Sequence, residues 1–85
     1  NDLHKTNVPR LYPNPAKDYL MVDCTAVNII PDQMRILDLT GRVVLVKNSF
    51  SELKSTISLH ELPAGAYWVE LRAGTQVWRR LVVKG

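Results

Sequence analysis

Met34-Arg35-Ile36-Leu37-Asp38-Leu39-Thr40-Gly41-Arg42-Val43-Val44 is the stretch that decides the fold. Two short apolar runs flank a centre with Asp at the first position of a four-residue turn and Gly at the fourth. The aspartate suits the start of a type I turn. The glycine takes the positive φ that lets both runs continue as a hairpin with a bulge. The stretch predicts strand, turn, strand.

The same logic recurs on either side. Leu62-Pro63-Ala64-Gly65 places Pro at the second turn position, where its fixed φ fits. Ala73-Gly74 joins the last two apolar runs as a tight hairpin. No segment keeps a period of 3.6 over ten or more residues. Period-2 alternation in short runs between turn residues is the mark of a sandwich or barrel. Seven strands are predicted, near Val8–Tyr12, Tyr19–Thr25, Gln33–Leu37, Val43–Lys47, Thr56–Leu59, Ala66–Arg72 and Gln76–Val83. In the sixth, Tyr67, Val69 and Leu71 are expected inward and Trp68, Glu70 and Arg72 outward. The seventh mixes its faces, Val77, Arg79, Leu81 and Val83 against Trp78, Arg80 and Val82. Its facing stays open, and an edge position is expected.

The 85 residues allow one domain, with 46% hydrophobic and 22% charged residues, ordinary values for a folded core. Residues 1–9 read as a linker to an upstream domain and 10–85 as the domain itself. A single cysteine, Cys24, rules out an internal disulfide framework. It lies in phase with Leu20 and Val22, so a buried apolar role outweighs a reactive thiol. No run is long enough to span a bilayer as a helix. The net charge is +3, and from Arg72 to Gly85 there are four basic residues and no acidic one.

Residues that could carry chemistry are few. His4 and His60 are the only histidines and lie far apart in sequence, so no metal site is expected. Asp38 serves the turn better than it would serve general base catalysis. No nucleophile elbow or phosphate loop is present, and an enzyme is not expected. The sharpest candidates are Arg79, Arg80 and Lys84 with Trp68 and Trp78 nearby. Basic residues between aromatics can bind sugars, anionic glycolipid or single-stranded nucleic acid. The competing account is cross-strand packing by the tryptophans and solvated edge charges for the arginines. The modest net charge makes nucleic acid the weakest ligand class, and none is expected.

Four blocks together resemble the C-terminal sorting domains of type IX secretion. LYPNPA at Leu11–Ala16 resembles the family's opening motif, through Tyr12, Pro13, Asn14 and Pro15. MRILDLTGRVV at Met34–Val44 resembles its central hairpin, through Asp38, Gly41 and Arg42. LPAGAYWVEL at Leu62–Leu71 is similar to its Pro-x-Gly-x-Tyr block, through Pro63, Gly65 and Tyr67. RRLVVK at Arg79–Lys84 resembles its basic-then-apolar ending. The blocks keep the family's order and spacing from Leu11 to Gly85.

The resemblance implies an all-β, seven-stranded, immunoglobulin-like β-sandwich that acts as address label for cargo upstream in the same chain. It implies passage through the periplasm and docking on the type IX outer-membrane translocon. It further implies a sortase-like protease that removes or retains the domain at the outer membrane surface and can link cargo to anionic lipopolysaccharide. No cofactor is implied. Translocon recognition is assigned to Trp78, Arg79, Arg80, Leu81, Val82, Val83 and Lys84, where an exposed edge could be read by strand addition. Processing is expected in or just before Asn1–Pro9. A binding module gripping glycan or protein through Trp68 and Trp78 is the main competing expectation and a purely structural end-cap the third; exposed edges also allow a homodimer.

Overall fold

A computed structural model describes residues 8–85. The expected linker and processing segment, Asn1–Pro9, lies outside the described residues except for Val8 and Pro9. The chain forms seven strands, β1 (Arg10–Tyr12), β2 (Tyr19–Asp23), β3 (Gln33–Leu37), β4 (Val43–Lys47), β5 (Lys54–Ser58), β6 (Gly65–Ala73) and β7 (Gln76–Lys84). They make two antiparallel sheets, β1-β2-β5 and β4-β3-β6-β7. The result is the expected all-β sandwich. In the constant-type immunoglobulin order the fourth strand joins the other sheet; here β4 pairs with β3.

The deciding hairpin forms as its residues dictate. Gly41 N–H donates to the Asp38 carbonyl (3.0 Å) and Asp38 N–H to the Arg42 carbonyl (2.9 Å). Gly41 sits at φ +93°, a conformation that a Cβ would strain. At the other end of the sheet, Gly74 turns β6 into β7 at φ +62°. Its N–H donates to Asp32 Oδ2 at 2.7 Å.

Inward residues of the two sheets meet in one core. Leu20, Val22 and Ile57 come from the three-stranded sheet, and Met34, Ile36, Val69, Leu71 and Val82 from the other. Truncating one of these large side chains to alanine costs about 2–5 kcal/mol. A domain of this size has a total stability of only about 4–13 kcal/mol. Cys24 is fully buried in the same core, and burial, aided by the neighbouring Asp23 charge, raises its thiol pKa.

Seven strand limits differ from the sequence expectation; the end of β5, both ends of β6 and the end of β7 move by one residue, and the other three by two. β1 begins at Arg10, two residues after Val8. β2 stops at Asp23 because its carboxylate Oδ1 accepts hydrogen bonds from the N–H and hydroxyl of Thr25 (2.9 and 2.7 Å), which turns the chain. β5 starts at Lys54, where pairing with Asp23 of β2 extends the ladder, and ends at Ser58. In β7 the register settles the facing. Trp78 lies opposite Leu71 and points inward with Val82, while Val77, Arg79, Leu81 and Val83 face outward.

Candidate functional site

The register brings the turn segments of all four motif blocks to one end of the sandwich. β2 starts there at Tyr19, β3 ends there at Leu37, β6 starts at Gly65 and β7 ends at Lys84. The site is this motif end together with the last strand.

Leu11–Ala16 leaves β1 and crosses to the outer edge of β7. The Asn14 side chain behaves like a strand there: Nδ2 donates to the Leu81 carbonyl (3.1 Å) and Oδ1 accepts from Val83 N–H (3.0 Å). One residue pair further, Ala16 N–H donates to the Val83 carbonyl (2.7 Å) and Gly85 N–H to the Ala16 carbonyl (2.8 Å). Ala16 itself is fully buried. The first motif is therefore a clasp on the last. Tyr12, Pro13 and Pro15 are exposed around it, and the Tyr12–Pro13 and Asn14–Pro15 peptides are both cis. The guanidinium of Arg10 lies 5.5 Å from the Tyr12 ring centroid.

The third motif holds the other side of the same terminus. Gly65 pairs with Lys84 at the start of the β6–β7 ladder. The Lys84 ammonium reaches the Leu62 carbonyl (2.6 Å), and the Tyr67 hydroxyl donates to the Pro63 carbonyl (2.5 Å). A buried tyrosine tied to backbone a few residues upstream fixes a sandwich corner. Pro63, Gly65 and Tyr67 thus act on the fold.

In the central turn, Asp38 Oδ1 accepts from Thr40 N–H (2.9 Å), the Thr40 hydroxyl (2.5 Å) and Arg42 N–H (3.0 Å). Arg42 Nε stands 3.3 Å from Asp38 Oδ2, though its side chain is largely solvated. The Thr40 hydroxyl first, then the Arg42 N–H, lower the Asp38 pKa.

Among residues that the motif reading gave no role, Arg35 and Glu70 join Arg79 in a charge cluster on the outward face of the four-stranded sheet. Glu70 is only 8% exposed. Its Oε1 accepts from Arg35 Nε at 2.8 Å, and its Oε2 lies 3.4 Å from Arg79 Nε. The Arg35 hydrogen bond lowers the Glu70 pKa, and partial burial opposes it. Period-2 alternation places Glu70 outward, which is correct. Its burial comes from the arginines beside it on β3 and β7, visible only once those strands are paired.

The seven residues assigned to recognition share one strand but not one surface. Arg79, Leu81 and Val83 are displayed outward. Arg80 lies on the inward side but is exposed. Trp78 packs partly against the core, Val82 is buried in it, and the Lys84 ammonium is engaged. Trp68, on the outward face, and Trp78, on the inward side, form no shared platform. The backbone edge is divided too. Asn14 and Ala16 occupy it from Leu81 to Gly85. Alternation along the strand points the N–H and C=O of Val77 and Arg79 the same way, and no described residue pairs with them.

Among the described residues, no three His, Cys, Asp or Glu side chains converge to hold a metal ion. The arrangement's chemistry is that of a locked strand and a displayed surface.

None of the curated proteins compared with the chain matches it. The profile of a family described as the secretion system C-terminal sorting domain matches residues 10–84, the first residue of β1 to the last of β7. All four motif blocks fall within that span. The chain belongs to the secretion system C-terminal sorting domains, the signals that direct proteins through type IX secretion.

Proposed function

We propose that the domain delivers an upstream cargo in its own chain by docking its last strand and motif end on the type IX outer-membrane translocon. As a type IX sorting signal it marks that cargo for the cell surface or extracellular space. In the proposed route the cargo crosses the periplasm with the domain already folded. A sortase-like protease then acts on the segment before β1, and anionic lipopolysaccharide is the candidate acceptor for the freed cargo. The domain itself is a substrate and label with no catalysis of its own.

The observation that carries this reading is the convergence of the first and third blocks on the fourth, at the end of β7. Asn14, Ala16, Leu62 and Gly65 all bond or pair with residues Leu81–Gly85. A label read at its terminus needs that terminus held in one shape, because ordering it during binding would cost affinity. Among the described residues no partner takes the backbone of Val77 and Arg79, and strand addition there would extend the clasped half.

The test must spare the fold. Deleting Leu81–Gly85 removes Val82 from the core and every clasp partner, so lost export there would report a lost domain. Appending a folded domain after Gly85 leaves those bonds in place. The sorting reading predicts that the extended fusion stays folded and is not exported. Undiminished export of it would contradict docking through the terminus.

A further inference from the structure

The outward face of the four-stranded sheet carries a row of apolar side chains that no described element covers. Directly paired residues in an antiparallel sheet project to the same side. The register therefore aligns Val43, Leu37, Trp68 and Leu81 across all four strands. Val43, Trp68 and Leu81 are 39%, 38% and 41% exposed. Leu37 is buried yet stands outside the interlayer core, so it forms the floor of the row. Val83, one outward position nearer the motif end, is exposed as well. Single exposed aliphatic residues need no explanation, but a row that crosses a whole sheet marks an interaction surface.

Beside it runs the Arg35–Glu70–Arg79 row, with Arg72 beyond. The face thus sets three arginines against one glutamate, and that glutamate is shared by two of them. Glu70 also fixes Arg79, whose guanidinium lies 6.0 Å from the Trp68 ring centroid. The indole is held between Leu37 and Leu81 in the row and Arg79 beside it, before any partner arrives. Tryptophan and arginine are the residue types that anchor protein interfaces, and a pre-held anchor loses little entropy on binding. Planar guanidiniums match carboxylates in fork geometry.

We infer that this face, centred on Trp68 and Leu81, docks a protein surface whose apolar side chains are bordered by carboxylates. The inference rests on the sorting reading, and the partner belongs to the export apparatus. The surface is separate from the strand edge: it uses side chains of β3, β4, β6 and β7, where the edge uses the backbone of β7.

The experiment places residues 1–85 at the C-terminus of a secreted reporter in a type IX-competent bacterium. It compares wild type with the paired change Trp68→Ser and Leu81→Ser, with Arg79→Glu, and with Ile30→Ser, which is exposed in the loop between β2 and β3 at the opposite end of the sandwich. Circular dichroism and melting of the purified domains establish folding. Losing an interface anchor should cut surface reporter at least about tenfold in the first two variants and leave Ile30→Ser unchanged. If the paired change unfolds, Val43→Thr and Leu81→Thr keep strand-compatible shapes and carry the same expectation. Wild-type export by folded variants overturns the inference. A wild-type fusion that stays inside overturns the sorting reading, and this inference with it. Purified domain that floats with phosphatidylglycerol vesicles, or sediments as a dimer, through Trp68 and Leu81 overturns the assignment to a protein partner.

Discussion

Asn14 and Val83 stand 69 positions apart in sequence and are joined at 3.0 Å, the Val83 N–H donating to the Asn14 side-chain oxygen. The same Asn14 amide gives its nitrogen to the Leu81 carbonyl. One side chain thus supplies both donor and acceptor to a strand edge, and only an amide can do so in one plane. The opening motif exists in this fold to hold the closing one.

Replacing Asn14 by Asp keeps an acceptor for Val83 but turns a carboxylate oxygen toward the Leu81 carbonyl. The site is exposed, so the expected cost is about 1 kcal/mol. Hydrogen exchange at the Val83 amide should quicken by about fivefold, the equivalent of that loss. Unchanged protection at Val83 would remove the clasp from the account.

Tyr67→Phe deletes the hydroxyl bond to the Pro63 carbonyl and keeps the ring in the core. About 1 kcal/mol of stability should go with it, lowering Tm by about 4–8 °C in a domain of this size. Thermal melting by circular dichroism reads this directly. An unchanged melt would deny the corner its structural role.

Glu70 ties stability to acid. Its pKa in the folded state lies below the usual glutamate value of 4.5, chiefly through the Arg35 hydrogen bond. The ionised carboxylate therefore stabilises the fold above about pH 4.5. That contribution is lost as pH falls through the depressed folded value. Asp38 and Asp23, also lowered, act in the same direction. Denaturation between pH 7 and 3 should show stability falling toward acid, with a shallower fall in Glu70→Gln. Equal slopes would mean the Arg35–Glu70–Arg79 cluster adds nothing to folding.

Cys24 should be inert in the folded domain. It is fully buried, and burial holds the thiol in its protonated form, the form that does not attack. Labelling with a thiol reagent at neutral pH should proceed only after denaturant is added. Rapid labelling of native protein would show that this part of the core opens.

The hairpins were legible because their information is local. Asp38-Leu39-Thr40-Gly41 carries its own hydrogen-bond partners and its own positive φ, and β3 and β4 fall at the expected residues. The inward set Tyr67, Val69 and Leu71 was legible from alternation alone. The facing of β7 was not, because an edge strand leaves both sides partly exposed and only the pairing of Trp78 with Leu71 decides it. The start of β5 depended on Asp23, some thirty residues earlier in the chain. The site divides in the same way. Motif spacing pointed to the last strand, while the clasp by Asn14 and the burial of Glu70 arise from partners that the fold brings together.

The most direct test is export of a reporter fused to residues 1–85 in a type IX-competent bacterium and in a strain lacking the translocon. Reporter at the surface only when the translocon is present is the predicted result. Reporter folded and trapped in the periplasm of both strains would contradict the account at its centre.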